Sequence, residues 1–417
     1  MKIAIIGGGI AGLSAAYLLH PYHQITVYEQ AASAGGHSRT CSLPTADGDV
    51  AVDTGFIVYN HRNYPNLSAL FDRLHVPVAK SKMSFGISLD QGRYEYCTAN
   101  LAGLFAQPSN LVQPTHWRML RDIIRFNRQA KAYSIQHPQA TLGDCLSDLK
   151  LSAGFRQHYL FPMSGAIWST SAHQIQQMPA KTLIRFFDNH GLLTINRQPQ
   201  WYTVRGGSQT YVQKLIAGYR SALRYNSKVV QVARTSAGVN VTTADGDTSN
   251  YDQVILACHS DQALHIIQAP TAAERAVLGA IRYQPNQVVL HSDQGFMPRR
   301  RRAWASWVYL ADSTHAEPNL SLTYWMNNLQ PLGTDQPILV TLNPSQLPDP
   351  ALIYDTHRFS HPLFDAAAIA AQARLPEIQG HQGIWFCGAW QGYGFHEDGL
   401  VSAMAVAQQL GAQIPWA

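Results

Sequence analysis

The chain opens on Lys2-Ile3-Ala4-Ile5-Ile6-Gly7-Gly8-Gly9-Ile10-Ala11-Gly12 and soon reaches Ile25-Thr26-Val27-Tyr28-Glu29. The first five residues are the short, β-branched run of a strand buried on both faces. The stretch Ala11 to Leu19 is rich in helix formers, and Ile25 to Glu29 reads as a second buried strand. The glycines satisfy G-x-G-x-x-G in that setting. Gly7 permits the tight turn, Gly9 lets a pyrophosphate approach the backbone, and Gly12 lets helix and strand pack closely. The helix N-terminus offers free N–H groups and a partial positive charge to phosphate. Glu29, with Gln30 beside it, ends the second strand, where a carboxylate accepts hydrogen bonds from a ribose diol. The pattern predicts a dinucleotide site and alone suits NAD as well as FAD.

With 417 residues the chain is too long for one ordinary core, and two connected domains are expected. Its 46% hydrophobic and 14% charged content is that of a soluble globular protein, expected in the cytoplasm. Ile3 to Tyr28 carries no Asp, Glu, Lys or Arg, but Gly7 to Gly9, Pro21 and two histidines interrupt it, which argues against a signal peptide or membrane span. The five cysteines lie far apart without a C-x-x-C pair, so neither a disulfide framework nor a zinc site is expected. His357 and His361 share i,i+4 spacing but have no supporting carboxylate, and no metal site is predicted. The net charge of +5 could owe much to Arg299-Arg300-Arg301-Arg302. That run reads as a solvated loop or a peripheral contact with the inner membrane face, and no motif supports nucleic-acid binding.

From about residue 64 to 190 the pattern is mainly helical, with apolar residues at helical spacing between His116 and Ala132. β-like runs return at 204–255, as a hairpin leading to a buried strand, and again at 286–342. The chain ends in Gly383-Ile384-Trp385-Phe386-Cys387, a glycine- and aromatic-rich loop, and a helix predicted from about Gly399 to Leu410.

After Glu29 come Gly35-Gly36-His37-Ser38-Arg39-Thr40 and then Val52-Asp53-Thr54-Gly55. This E-x5-G-G-x-x-x-T and D-x-G pairing resembles the flavin-containing amine oxidase, phytoene desaturase and protoporphyrinogen oxidase superfamily. Arg205-Gly206-Gly207-Ser208, Trp385 to Ala389, and Glu397 to Ala403 resemble its later segments. More narrowly, the chain resembles a bacterial group of predicted NAD/FAD-binding proteins. The resemblance is collinear over the flavin-binding segments and weak elsewhere. It implies an α/β fold: a Rossmann-like FAD-binding domain of glutathione-reductase type, amine-oxidase-like, with an interleaved sheet-plus-helical substrate domain. Residues 1–63, 200–262 and 376–417 are assigned to the first, and 64–199 and 263–375 to the second.

The resemblance also implies contacts to non-covalent FAD. Gly35, Gly36, His37 and Ser38 would wrap the pyrophosphate, with Ile10 and Ala11 at the helix start and Gly55 further along the loop. Arg39 could neutralise the phosphates, although the family often has arginine where this chain has His37. Val229 would meet adenine through its backbone. Gly388 and Asp398 would sit near the ribityl and phosphate groups, and Gly399, Leu400 and Val401 would turn helix amides to the flavin ring. Amine oxidases of the superfamily often place a lysine by the flavin, in a strand resembling Gln287 to His291. Here Asn286 and Gln287 stand in that neighbourhood, with no lysine from Leu278 to Gly295. His396 is the candidate acid/base or substrate-orienting residue. Trp168, Trp304, Trp307, Tyr324 and Trp325 would suit an apolar tunnel, or simply a core. The expected activity is hydride transfer to FAD from a largely apolar substrate, such as an unsaturated acyl chain or isoprenoid, with an amine less favoured. A redox-neutral flavoenzyme (a double-bond isomerase or mutase) and a non-catalytic dinucleotide-binding protein are the alternatives.

Overall fold

A computed structural model describes residues 1–168, 172–189, 191–194, 198–311 and 321–416. The opening run forms the strand Lys2–Ile6, all but its first residue buried. It lies at the centre of a five-stranded parallel sheet, in the order Leu223–Arg224, Gln24–Tyr28, Lys2–Ile6, Gln253–Leu256, Ile384–Phe386. Three distant stretches of sequence therefore build one sheet. The helix Ile10–Leu19 explains the missing charges of the N-terminus: nearly every residue is buried, with no exposed face to carry them. At ten residues it spans about 15 Å, half a bilayer core. Among the described residues no helix is long and apolar enough to cross a membrane. The last helix, His396–Gln409, packs against it through Gly399, Leu400 and Ala403.

Over the 204–255 region the hairpin Val229–Thr235 with Gly238–Thr243 gains a third strand, Thr248–Tyr251, before the buried strand Gln253–Leu256. The 64–190 region is not uniformly helical. The long helix Pro114–Gln136 is present, buried along Met119, Phe126, Ala130 and Tyr133. Strands Val78–Ser81, Phe85–Leu89 and Tyr94–Cys97 precede it. They are four or five residues long, too short to show a clear period, and cross-chain pairing decides their structure. Phe85–Leu89 and Tyr94–Cys97 extend a seven-stranded sheet with Trp307–Ala311, Ser321–Trp325, Leu339–Leu342, Tyr283–His291 and Ile353–Pro362. All its pairings are antiparallel except that of Trp307–Ala311 with Phe85–Leu89.

The helix-to-strand approach at the first turn leaves no room for a side chain. A Cβ at Gly12 would lie 1.9 Å from the Gly7 carbonyl oxygen. Gly12→Ala is expected to destabilise the protein by about 1–3 kcal/mol, through forced displacement of the turn. Denaturant titration of the purified variant reads this.

Candidate functional site

The loop after the first strand is fixed from both sides. Gly7 N–H donates to the Tyr28 carbonyl at 2.9 Å, and Gly8 N–H donates to Glu29 Oε2 at 2.8 Å. The other Glu29 oxygen accepts from Ala31 N–H at 2.7 Å. Gly35 N–H donates to the Gly8 carbonyl at 2.8 Å, bringing the second glycine pair onto the first. Gly36 has φ +57°, and a Cβ there would lie 3.0 Å from Gly9 Cα. The helix Ile10–Leu19 has no side-chain cap and no acid in its first turn, so its positive end faces outward unneutralised.

That end opens into a cavity of about 1820 Å³. Gly7, Gly9, Ile10, Ala11, Glu29 and Gln30 lie on its wall, as do Gly36, His37, Ser38 and Arg39. Gly55, Val229, Gly388 and His396 line it from the other segments. Six of the residues predicted to bind the cofactor do not line it. Gly12 and Gly35 are packing positions. The last helix begins at His396, three residues before its predicted start. Asp398 therefore turns inward to accept from Tyr393 and Phe395 N–H groups at 3.0 and 2.9 Å. Gly399 packs on Ile10, Leu400 is in the core, and the Val401 side chain is exposed. Arg39 is also differently employed: its guanidinium holds Asp355 in a bidentate pair, at 2.8 and 3.0 Å. The paired carboxylate offsets the charge expected for phosphates.

Asp53 of the D-x-G segment is fully buried and binds its hairpin neighbour Thr40 and two segments distant in the chain. Its carboxylate accepts from the Thr40 hydroxyl (2.6 Å), the Ser208 N–H and hydroxyl (2.8 Å each) and the Gln330 amide (2.8 Å). Burial raises its pKa to about 6, against the pull of those donors.

Histidines converge on this side of the cavity. His37 stacks on Phe359 with centroids 4.4 Å apart, and lies 5.5 Å from His361 and 6.3 Å from His259. His259 stacks on Tyr283 at 4.4 Å, and all of these residues line the cavity. Burial holds His37 well below the usual imidazole range, and the neighbouring His361 adds to the effect. His361 is lowered to about 4, again chiefly by burial. The only sequence signal for this group was the His357/His361 spacing; both sit on the strand Ile353–Pro362, where i and i+4 share a face. Among the described residues no group of histidine, cysteine or carboxylate could hold a metal ion.

His396 stacks on Phe56 at 3.9 Å, and its Nε2 meets the Ser38 hydroxyl at 2.9 Å. Ser38 is itself hydrogen-bonded to the buried Tyr211 hydroxyl. Burial lowers His396 to about 3, so it is neutral at physiological pH. Beyond it the cavity turns apolar, lined by Met83, Phe85, Leu120, Tyr159, Met163 and Phe186 among others. Trp307 and Tyr324 are on that wall, but Trp304 and Trp325 are not. Those two pack edge to face against each other, with Arg301 over Trp304. The Trp168 side chain lies outside the described residues. Asn286, near the position of the missing lysine, is buried off the wall and bonded to Asn343 and His361.

A family model for flavin containing amine oxidoreductases matches residues 10–325. The chain belongs to that family. Similar solved structures include a CLA-producing fatty acid isomerase from P. acnes, at TM-score 0.70 and 14% identity over 98% of both chains. Cyclohexylamine oxidase from Brevibacterium oxydans gives TM-score 0.69 and 14% identity, covering 98% of this chain and 99% of that one. Reduced UDP-galactopyranose mutase gives 0.67 and 16%, covering 98% and 95%. At these identities the similarity shows the fold: a mixed α/β flavoprotein fold with a parallel sheet.

The buried neutral histidines set a pH dependence. Their folded pKa values lie below the ordinary 6.5, so their contribution is complete above pH 6.5 and is lost on acidification toward their folded values. Asp53 and Asp398, raised to about 6, act in the opposite sense over the same range. Comparison of His361→Asn with the parent separates the two. Between pH 6.5 and 4.5 the parent should lose up to about 1.4 kcal/mol per pH unit more than the variant, read from denaturant midpoints.

Proposed function

We propose that the protein is an FAD-dependent oxidoreductase that removes a hydride from a largely apolar substrate. The observation that carries the reading is a single cavity joining two chemically distinct ends. One end has an uncapped helix terminus, glycine loops and the Glu29 carboxylate; the other is lined by aliphatic, aromatic and thioether side chains.

The residues at the polar end suit a dinucleotide. A Cβ at Gly9 would meet nothing within 4 Å, so the turn faces open space. His37 Nε2 is buried on the cavity wall with no hydrogen-bond partner among the described residues. A buried ring nitrogen left so is costly without a partner, and in the tautomer that carries its proton on Nε2 it would donate to a pyrophosphate oxygen. Gly7 to Ala11, Gly36, His37 and Ser38 would hold that group, Val229 the adenine end, and Gly388 the ribityl side. Bound flavin supplies the hydride acceptor.

The apolar end favours a lipid-like substrate over an amine. Among the described residues the only carboxylates on the wall are Glu29 and Asp261, both beside the nucleotide end, so none is placed to recognise an ammonium group. We assign His396 an orienting role: held by Ser38 and stacked on Phe56, a neutral ring this weakly basic is poorly matched to proton abstraction near pH 7.

Anaerobic mixing of the oxidised holoprotein with unsaturated fatty acids, acyl esters, isoprenoids and primary amines tests the reading. Loss of flavin absorbance at about 450 nm is expected with an apolar substrate and not with the amines. Bleaching by amines alone would overturn the substrate assignment. A product of unchanged mass without net bleaching would point instead to isomerisation.

A further inference from the structure

Exposed apolar side chains gather where the cavity reaches the surface. Leu101 is 75% exposed, Leu111 53%, Val112 80% and Trp117 50%. They belong to one continuous face. Trp117 Nε1 donates to the Leu111 carbonyl at 2.9 Å, and the Trp117 ring lies 5.2 Å from that of Phe105. Gly103, in the short helix that Leu101 begins, packs against Cys97 and the carbonyl of Arg302. Trp117, Arg121 and Ile124, on successive turns of the helix Pro114–Gln136, are both exposed and on the cavity wall. This face is therefore the mouth.

Its charge is mainly positive. Between Thr98 and Leu142 the sequence holds Arg118, Arg121, Arg125, Arg128 and Lys131, and one acid, Asp122. Asp122 is buried, accepting from Ser152 N–H, and Asp188, from another helix, offsets only Lys131. Among the described residues Arg118, Arg128, Arg301 and Arg302 enter no ion pair. Only part of the arginine run contributes. Arg300 is paired with the buried Glu95, which also accepts from the Arg299 and Arg300 N–H groups. The Arg302 carbonyl lies beside Gly103, which sets the end of the run next to this face.

We propose that this face docks the protein on an anionic lipid bilayer, with Leu101, Leu111, Val112 and Trp117 seated at the headgroup boundary. Scattered exposed leucines would carry no such meaning, but a contiguous apolar patch rimmed by unpaired cations matches an anionic, apolar surface. A second copy of the chain is a poorer occupant, because a two-fold contact sets each arginine-bearing face against its own kind. Docking there places the mouth against the bilayer, so an apolar molecule reaches the cavity without crossing water. The inference rests on surface exposure and charge, and its failure would leave the flavin chemistry standing.

Sedimentation with vesicles tests it, using the holoprotein, phosphatidylcholine alone, and phosphatidylcholine mixed with phosphatidylglycerol. Partitioning should be at least about tenfold stronger onto the anionic vesicles and should weaken as salt rises. The double variant Leu101→Glu/Val112→Glu should lose about tenfold or more while keeping its flavin spectrum, since neither residue lines the cavity. Arg118→Gln/Arg128→Gln should weaken binding without adding negative charge. Equal binding to both vesicle types, variants that bind as the parent does, or a concentration-dependent dimer abolished by the same substitutions would overturn the proposal.

Discussion

The structure depends on one small arrangement: the Glu29 carboxylate holding the Gly8 N–H across the end of the first two strands. That bond fixes where the glycine turn points, and so where the positive end of the helix Ile10–Leu19 emerges. The 35–38 loop is then seated by Gly35 N–H on the Gly8 carbonyl. With the Gly7 and Gly8 N–H groups spent on the second strand and Glu29, the Gly9 N–H and the first amides of the uncapped helix are left over. They face the cavity. A buried cluster of unneutralised donors in a low-dielectric setting is costly alone and favourable around an anion.

Asp53 extends the same logic over a longer range. It is reached by Thr40 from the second glycine loop, Ser208 from the mid-chain glycine segment, and Gln330 from the connection between two inner strands of the seven-stranded sheet. One buried carboxylate thus fastens the flavin-side loops to the sheet that shapes the apolar end. The donors are well matched to an ionised group, yet burial still raises its pKa to about 6. The strength of this joint therefore lies in geometry rather than in a strongly favoured charge.

The parts legible in sequence were those where local chemistry leaves one solution. The Gly7–Glu29 unit, the Gly35–Gly36 loop, and the buried strands at 253–256 and 384–386 all carry their own signal, because glycine spacing and unbroken apolar runs have few structural uses. What was not legible required partners distant in the chain. The strands at 78–97 form only because 201–204 and 307–311 arrive beside them. Arg39 reads as a phosphate ligand until Asp355, 316 residues later, claims it. The last helix starts three residues early, and Asp398 in its first turn is taken up by the Tyr393 and Phe395 amides. Beyond the His357/His361 spacing the histidine group around His37 has no linear signature, since its members come from a loop, a helix end and a strand. The mouth has none either, since it joins residues near 101–117 with the Arg302 carbonyl.

The central claim is that the polar end of the cavity is built to receive a pyrophosphate through the glycine turn and the unpartnered His37 Nε2. Its most direct test is the FAD dissociation constant of apoprotein, measured by flavin fluorescence quenching for the parent and for His37→Ala. Loss of one hydrogen bond to a charged group corresponds to about 1.5–3 kcal/mol, so affinity should fall by at least about tenfold while secondary structure is retained. Unchanged affinity for FAD in the alanine variant would contradict it.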